Sequence, residues 1–291
     1  MGALARRIRK LFSRPAFIAA RGLSEGEAYR RGALALFYAA SDDSWFSVKF
    51  NGVQAVFPRY TLLTMRHCLH FDADARPYFL VETAHWEAMR SWLDDGDVFL
   101  DVGAATGAMC VPFDLGVEKD IRLIAFEPSR RARNYLEQTL DRNECRRSTV
   151  YRYAISDRVG GAEFVEMPFD SDGKIPWLPE TSHLYVGGDG GERDAVVYKV
   201  DVATLDSLAT ELNLLEANKL VIKIDVEGFE GEVLRGAKNL IRRQRPWFSI
   251  DIHLKPGQNF DTEEEVCGLL AGFGYKFDRI GHVLLATPGR G

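Results

Sequence analysis

Two short runs of this chain end in groups that titrate or ligate. In IKIDVEGFEGEVLRGA (222–237), Lys223, Asp225 and Glu227 share one parity, so along an extended backbone they point to one side. Burying three ionisable groups beside a parallel strand is costly unless they face a cavity or one another. In SIDIH (249–253), Asp251 and His253 also share a parity. Imidazole titrates near neutral pH and can act as a base. Asp225 and Asp251 offer oxygen ligands of the kind Mg²⁺ takes. Each group also has a structural reading. His253 could be satisfied by backbone at a strand end. Asp225 and Asp251 could be held by loop N–H groups or by Lys223, and Glu227 could be a helix N-terminal acid.

A second constellation lies upstream. Val98 to Leu100 is a short apolar run followed directly by DVGAATG (101–107). Gly103 and Gly107 bracket a turn into a helical stretch, where backbone can approach a ligand and unpaired N–H groups face it. The run LIAFEPS (123–129) then ends in Glu127. A carboxylate at the tip of a second strand can accept two hydrogen bonds from a ribose diol. Strand, glycine loop, helix, strand and acid make a nucleoside-binding half. In an open α/β sheet, ligands bind outside the carboxyl ends of the strands.

These groups need elements to hold them, and the pattern supplies an alternating series. Strands are predicted at 98–101, 122–127, 149–156, 220–225 and 247–253, with helices at 107–116, 129–142, 205–215, 227–242 and 262–272. TVYRYAIS (149–156) ends at Asp157, placed to receive an exocyclic amine. Extra strands are predicted at 163–167 and 196–200, and Gly160–Gly161 reads as loop. YKFDRI (275–280), Gly281 and HVLLAT (282–287) form a closing hairpin, which puts one reversed strand in a mixed sheet. Residues 168–191, with Trp177, His183 and Tyr185, read as a long loop of the kind that chooses substrates or as a surface insertion. Ahead of the series, residues 1–40 read as helical around a loop at 21–26. Asn51–Gly52 turns a hairpin within 45–58, and 82–93 is a helix with Trp86, Met89, Trp92 and Leu93 on one face. Glu82 starts that helix, as a cofactor contact or as a solvated acid.

The 291-residue chain has a formal charge of −5, unevenly spread: residues 1–31 carry eight Lys/Arg against two Glu. The acidic remainder disfavours broad nucleic-acid binding. ALARRIRKLF (3–12) spaces Leu4, Ile8, Leu11 and Phe12 helically among basic residues. It suits either an anionic membrane surface or a solvated, partner-facing helix. No apolar run approaches the length of a bilayer span, and the basic start lacks the apolar core of a secretory leader. Cys68, Cys110, Cys145 and Cys267 have no CxxC spacing. That argues against zinc and against a disulfide framework, and points to the cytoplasm.

Taken in order, FLDVGAATG, IAFEPS, AISD (154–157), VDVATLDSL (200–208), IKIDVEGFEGEVLRGA and SIDIH resemble the FkbM-type methyltransferases over roughly residues 80–255. These are S-adenosylmethionine-dependent enzymes. The resemblance implies a class I methyltransferase α/β fold: a Rossmann-like mixed sheet, mostly parallel, with a C-terminal antiparallel hairpin. Residues 1–80 would be a helical and β-hairpin extension, and 81–291 the methyltransferase domain. The resemblance also implies O-methylation of a sugar, surface glycan or related small-molecule metabolite. The loop Asp101 to Gly107, with Gly103 and Ala104, would hold the methionine part of the cofactor. Glu127, beside Pro128, would hold the ribose, and Ser156 and Asp157 would sit at the adenine. The chain departs from the family at Ala105, commonly Asn, and at Asp251, commonly Glu.

Methyl transfer from a sulfonium is an in-line displacement, so the protein mainly positions and desolvates. A sugar hydroxyl needs a base, or a metal that lowers its pKa. His253 is the candidate base, with Asp225 and Glu227 beside it and Mg²⁺ on Asp225 and Asp251 as an alternative activator. Two other classes compete. One is an NAD(P)-linked oxidoreductase, against which the loop is GAATG rather than GxGxxG. The other is a non-catalytic scaffold in glycan assembly, held peripherally at the inner membrane face through residues 1–31. A homo-oligomer is compatible with any of the three.

Overall fold

Asn51 and Gly52 turn the chain at φ 45° and 84°, the positive values a tight hairpin turn requires. The computed structural model describes residues 25–41, 43–74, 76–166, 182–184, 196–255 and 259–289. The amphipathic run 3–12 and most of the loop 168–191, including Trp177 and Tyr185, lie outside them. Helix α1 (Glu25–Ala39) precedes the hairpin of β1 (Trp45–Phe50) and β2 (Val53–Pro58). Then come α2 (Arg59–Thr64), β3 (Leu69–Phe71), β4 (Pro77–Phe79) and α3 (Thr83–Trp92). The four strands form a small sheet in the order β2-β1-β4-β3. Phe50 packs between Phe57 and Phe79, with ring centroids 4.4 and 5.2 Å away. The Asn51 side chain donates to the Val81 carbonyl and accepts from the Val81 amide, both at 2.8 Å. A turn residue thus also pins the backbone next to Glu82.

The large sheet uses β5 (Val98–Val102), β6 (Arg122–Phe126), β7 (Ser148–Tyr151), β12 (Leu220–Ile224), β13 (Trp247–Asp251), β14 (Tyr275–Ile280) and β15 (Val283–Pro288). Their order is β7-β6-β5-β12-β13-β15-β14. β15 is antiparallel to both of its neighbours, while β5, β6, β7, β12 and β13 pair in parallel. The expected mixed sheet with one reversed strand is therefore present. β5 and β12 are buried along their whole length, as strands covered on both faces must be. The chain winds outward in opposite directions from these two, so the switch point lies above their carboxyl ends.

The two faces carry separate cores. On one, Phe37, Phe50 and Phe57 of the N-terminal layer join Phe99, Phe113 and Leu123 in one cluster. On the other, Leu100, Ile222 and Ile250 pack with Val233, Leu240 and Leu270. No helix among the described residues is long and apolar enough to cross a membrane. The four cysteines are free.

Four expectations are corrected. The single strand 149–156 is two: β7 stays in the large sheet, while β8 (Ala154–Ile155) pairs with β11 (Val196–Ala203). β11 also pairs with β9 (Gly160–Glu166), which begins in the supposed Gly160–Gly161 loop and pairs with β10 (His183–Leu184). The helix 205–215 is one turn, α6 (Leu205–Leu208), followed by turns. The helix 227–242 is two pieces, α7 (Glu230–Arg235) and α8 (Lys238–Gln244). Its start is delayed because Glu227 and Gly228 have φ of 54° and 93°. It breaks where Gly236 meets the Ser156 carbonyl, and Asp206 then accepts the Asn239 and Leu240 amides that open α8. The helices at 107–116 and 262–272 are present but shorter, as α4 (Cys110–Gly116) and α9 (Glu263–Ala271). That at 129–142 is α5 (Arg130–Arg142), N-capped by Ser129.

Candidate functional site

The sheet register brings the acidic groups together. Lys223 pairs with Ser249 on β13 and with Asp101 on β5. Continued past the strand ends, that register sets Asp225 beside Asp251 and Gly103, and Glu227 beside His253. The approach at Gly103 is so close that a Cβ there would lie 1.8 Å from the Asp225 carbonyl oxygen, and its φ is 88°. Only glycine fits. Above this point opens a cavity of about 300 Å³, whose walls include Glu82, Gly103, Glu127, Pro128, Asp225, Glu227, Asp251 and His253.

Lys223 sits at the centre of one acidic group. Its ammonium lies 2.7 Å from Asp225 Oδ2, 3.7 Å from Glu82 Oε2 and 3.7 Å from Asp251 Oδ2. Burial opposes its charge, but these carboxylates hold its pKa well above the usual lysine range. Burial raises the Glu82 carboxyl against the pull of Lys223. It would raise Asp251 too, yet His282, Lys223 and His85 outweigh it and hold that carboxyl below its usual range. His282 Nε2 stands 3.1 Å from Asp251 Oδ1. The ammonium competes with any cation for these oxygens, although ligand atoms of Glu82, Asp225 and Asp251 all lie within 4.8 Å of one another. No backbone N–H holds either carboxylate among the described hydrogen bonds, so of the two structural readings the lysine is the one present.

His253 heads a second group. Its Nδ1 lies 2.9 Å from Glu230 Oε1, and its Nε2 lies 3.6 Å from Asp225 Oδ1 and 3.9 Å from Glu227 Oε2. Glu230 is fully buried and accepts hydrogen bonds from the Gly228 amide and the Thr262 hydroxyl. Burial works against an imidazolium, but Glu230, Asp225 and Glu227 outweigh it and push His253 up to about 10. That upward push favours the imidazolium and weighs against His253 as the base. Glu227 is not a helix-start acid either: it stands three residues ahead of α7 in a left-handed conformation and faces the cavity.

The other end of the cavity is built on Glu127. Its two oxygens accept the Ser129 and Ala105 amides, each at 2.7 Å. Each carboxylate oxygen keeps a further acceptor position. Burial pushes this carboxyl up to about 7 against the pull of those two amides and of Arg133. Ala105 has φ 46°, a conformation in which Asn is several-fold enriched, so the departure from Asn costs local backbone ease as well as a side chain. Asp101, Ala104, Gly107, Ser156 and Asp157 do not line the cavity. Asp101 is buried behind it, accepting the Cys110 thiol. Gly107 makes room for Leu136. Ala104 is buried, its amide on the Phe126 carbonyl. Ser156 is buried with its amide on Ala203, and Asp157 is exposed beside Arg158 and Arg235. Tyr153, Ala154 and Ile155 wall this end instead.

Several cavity residues are not among the site residues named from the sequence. Tyr60, Met65 and His67 come from the N-terminal layer, and Phe164, Glu166 and His183 from the β9–β10 strands. His67 and His183 both reach the cavity, the latter from the loop 168–191 expected to choose substrates. Neither strand-end parity nor the glycine-loop pattern reaches these six, which come from the N-terminal layer and from β9 and β10.

The sequence signature described as Methyltransferase FkbM domain matches residues 101–277, more than half of the chain. No curated protein matches. Among solved structures, the methyltransferase FkbM of Methylobacillus flagellatus is 20% identical over 67% of this chain and 44% of its own, with a TM-score of 0.42. This chain thus spans less than half of that relative. The precorrin-6y C5,15-methyltransferase of Geobacter metallireducens is 12% identical over 72% of this chain and 90% of its own, with a TM-score of 0.40. A SAM-dependent O-methyltransferase of Thermotoga maritima is 9% identical over 86% of this chain and 87% of its own, with a TM-score of 0.36.

Proposed function

Because this chain belongs to the FkbM methyltransferase family, which uses S-adenosylmethionine, we propose that it methylates a hydroxyl oxygen of a sugar, surface glycan or related small metabolite. The observation that carries the reading is that Glu127 and the Asp225–Glu227–His253 group open into one cavity at the switch point of the sheet. The residues present fit the cofactor: Glu127 has acceptor positions left for a diol, and the carboxylates of the walls suit a cation. S-adenosylmethionine supplies an electrophilic methyl group on a sulfonium. Glu127 orients the nucleoside, and the loop at Gly103 lets backbone approach it. Tyr60, Met65, His67 and His183, which line the same cavity, are assigned the selection of the acceptor. Asp225 and Glu227 stand where a carboxylate can accept the hydroxyl proton, with the His253 ring 3.6 and 3.9 Å away as a neighbouring charge.

Thermal unfolding with S-adenosylmethionine, S-adenosylhomocysteine, NAD and NADP tests the cofactor. A ligand at a hundred times its dissociation constant stabilises a fold by about 2.7 kcal/mol. The two sulfur nucleosides are expected to raise the transition and the two dinucleotides to leave it unmoved. The reverse pattern would give the site to an oxidoreductase. Glu127→Ala is expected to weaken S-adenosylmethionine at least about tenfold, the cost of losing a charge-assisted hydrogen bond; unchanged affinity by calorimetry would remove Glu127 from the ribose.

A further inference from the structure

We propose that Asp225, Glu227 and His253 form a binding site for one divalent first-row transition-metal ion of the Mn²⁺, Co²⁺ or Zn²⁺ class. The geometry begins at the imidazole. Its Nδ1 is committed to Glu230, which is in turn fixed by the Gly228 amide and the Thr262 hydroxyl. A carboxylate on one ring nitrogen sets the orientation of a histidine ligand and raises its basicity. The ring therefore presents Nε2 to the cavity.

Nε2 faces Asp225 Oδ1 at 3.6 Å and Glu227 Oε2 at 3.9 Å. Both distances are too long for hydrogen bonds. They are close to the spacing of ligand atoms around one ion: with bonds of about 2.0–2.2 Å, neighbouring ligands stand roughly 3–3.6 Å apart. The three ligand atoms lie within 4.8 Å of one another. Lys223 holds Oδ2 of Asp225 and lies toward Glu82 and Asp251, which leaves Oδ1 on the side of His253. All three ligand side chains are about a quarter exposed to the cavity, leaving positions open for water or a hydroxyl. A mixed nitrogen and oxygen donor set with imidazole favours a transition ion over Mg²⁺. On binding, the ion replaces the Nε2 proton, which leaves to solvent. Its catalytic use rests on the methyl-transfer reading: an acceptor hydroxyl on an open position would lose its proton more readily.

The test is a Mn²⁺ titration of the folded chain without cofactor, read by loss of the free-ion EPR signal. One ion per chain is expected, displaced by Co²⁺ and not by a tenfold excess of Mg²⁺. His253→Ala is expected to abolish this binding, and Glu230→Gln to weaken it about 10–100-fold. His70→Ala, an exposed histidine outside the cavity, should leave it unchanged. Absence of saturable binding by the wild-type chain, displacement by Mg²⁺, or binding untouched by His253→Ala would overturn the site. Because no S-adenosylmethionine is present, failure here leaves methyl transfer standing. Failure of the sulfur nucleosides to bind would instead leave the ion site standing and remove its catalytic use.

Discussion

Glu127 carries the sharpest consequence at the scale of a residue. It is 6% exposed, and burial raises its carboxyl to about 7 even with two amides bonded to it. The ionised form is the better acceptor for a diol. S-adenosylmethionine affinity is therefore expected to be full above pH 7 and to fall as pH drops through it, by up to about tenfold per unit at the limit. Glu127→Gln should bind weakly and flatten that dependence in calorimetry from pH 5.5 to 8.5; an unchanged profile would move the titration elsewhere. At this scale the sequence is informative where alternation applies. Asp225, Glu227, Asp251 and His253 are legible because strand parity and neighbouring strand ends aim them together. Glu230 is not, since an acid in the first turn of a helix reads as a dipole partner whether it is exposed or, as here, fully buried on a histidine. That hidden partner is the largest of the groups that outweigh burial and push the His253 pKa up.

At the scale of elements, two glycines decide how closely backbones meet. Gly103 carries the turn between β5 and the site and has the Asp225 carbonyl where a Cβ would stand. Gly236 lets α7 end against Ser156, with a Cβ position 2.0 Å from that carbonyl. Gly52 has a positive φ but nothing within 4 Å. Gly52→Ala should therefore cost about 1–2 kcal/mol, from backbone conformation alone. Gly103→Ala adds a backbone clash and should cost about 2–5 kcal/mol. It should also weaken S-adenosylmethionine binding, because relief requires β5 and β12 to part under the cofactor loop. Equal midpoints for the two variants in urea unfolding would show the approach at Gly103 to be relaxed. The glycine was legible and its reason was not: the sequence suggests room for a ligand, whereas the contact is with the neighbouring strand end. The break of β7 from β8 was hidden for a similar cause, as an alternating run does not reveal which sheet it joins.

At the scale of the whole molecule, the parallel series and its reversed strand follow from alternating apolar runs and helical stretches, whereas the order of the strands is read from the structure. The relation of residues 25–79 to that sheet does not follow from such runs, because hairpin signals are local and say nothing about which face they cover. The structure joins them through one apolar cluster. Phe50 is completely buried between Phe57 and Phe79, and the same cluster continues through Trp86 and Phe113 to Phe99 on β5. Trp92 also touches Trp247 of β13, with ring centroids 5.2 Å apart. A chain packed this way should unfold in one cooperative transition, without early loss of the N-terminal layer. Phe50→Ala removes a fully buried ring and is expected to cost about 3–5 kcal/mol. That loss should appear equally in far-ultraviolet circular dichroism and in the fluorescence of a variant keeping only Trp247, a probe on the far strand. Because Tyr60, Met65 and His67 of the same layer wall the cavity, S-adenosylmethionine should raise the midpoint seen by both probes together. Two separated transitions, with only the later one responding to the cofactor, would show instead that the N-terminal layer is an attachment to the catalytic sheet.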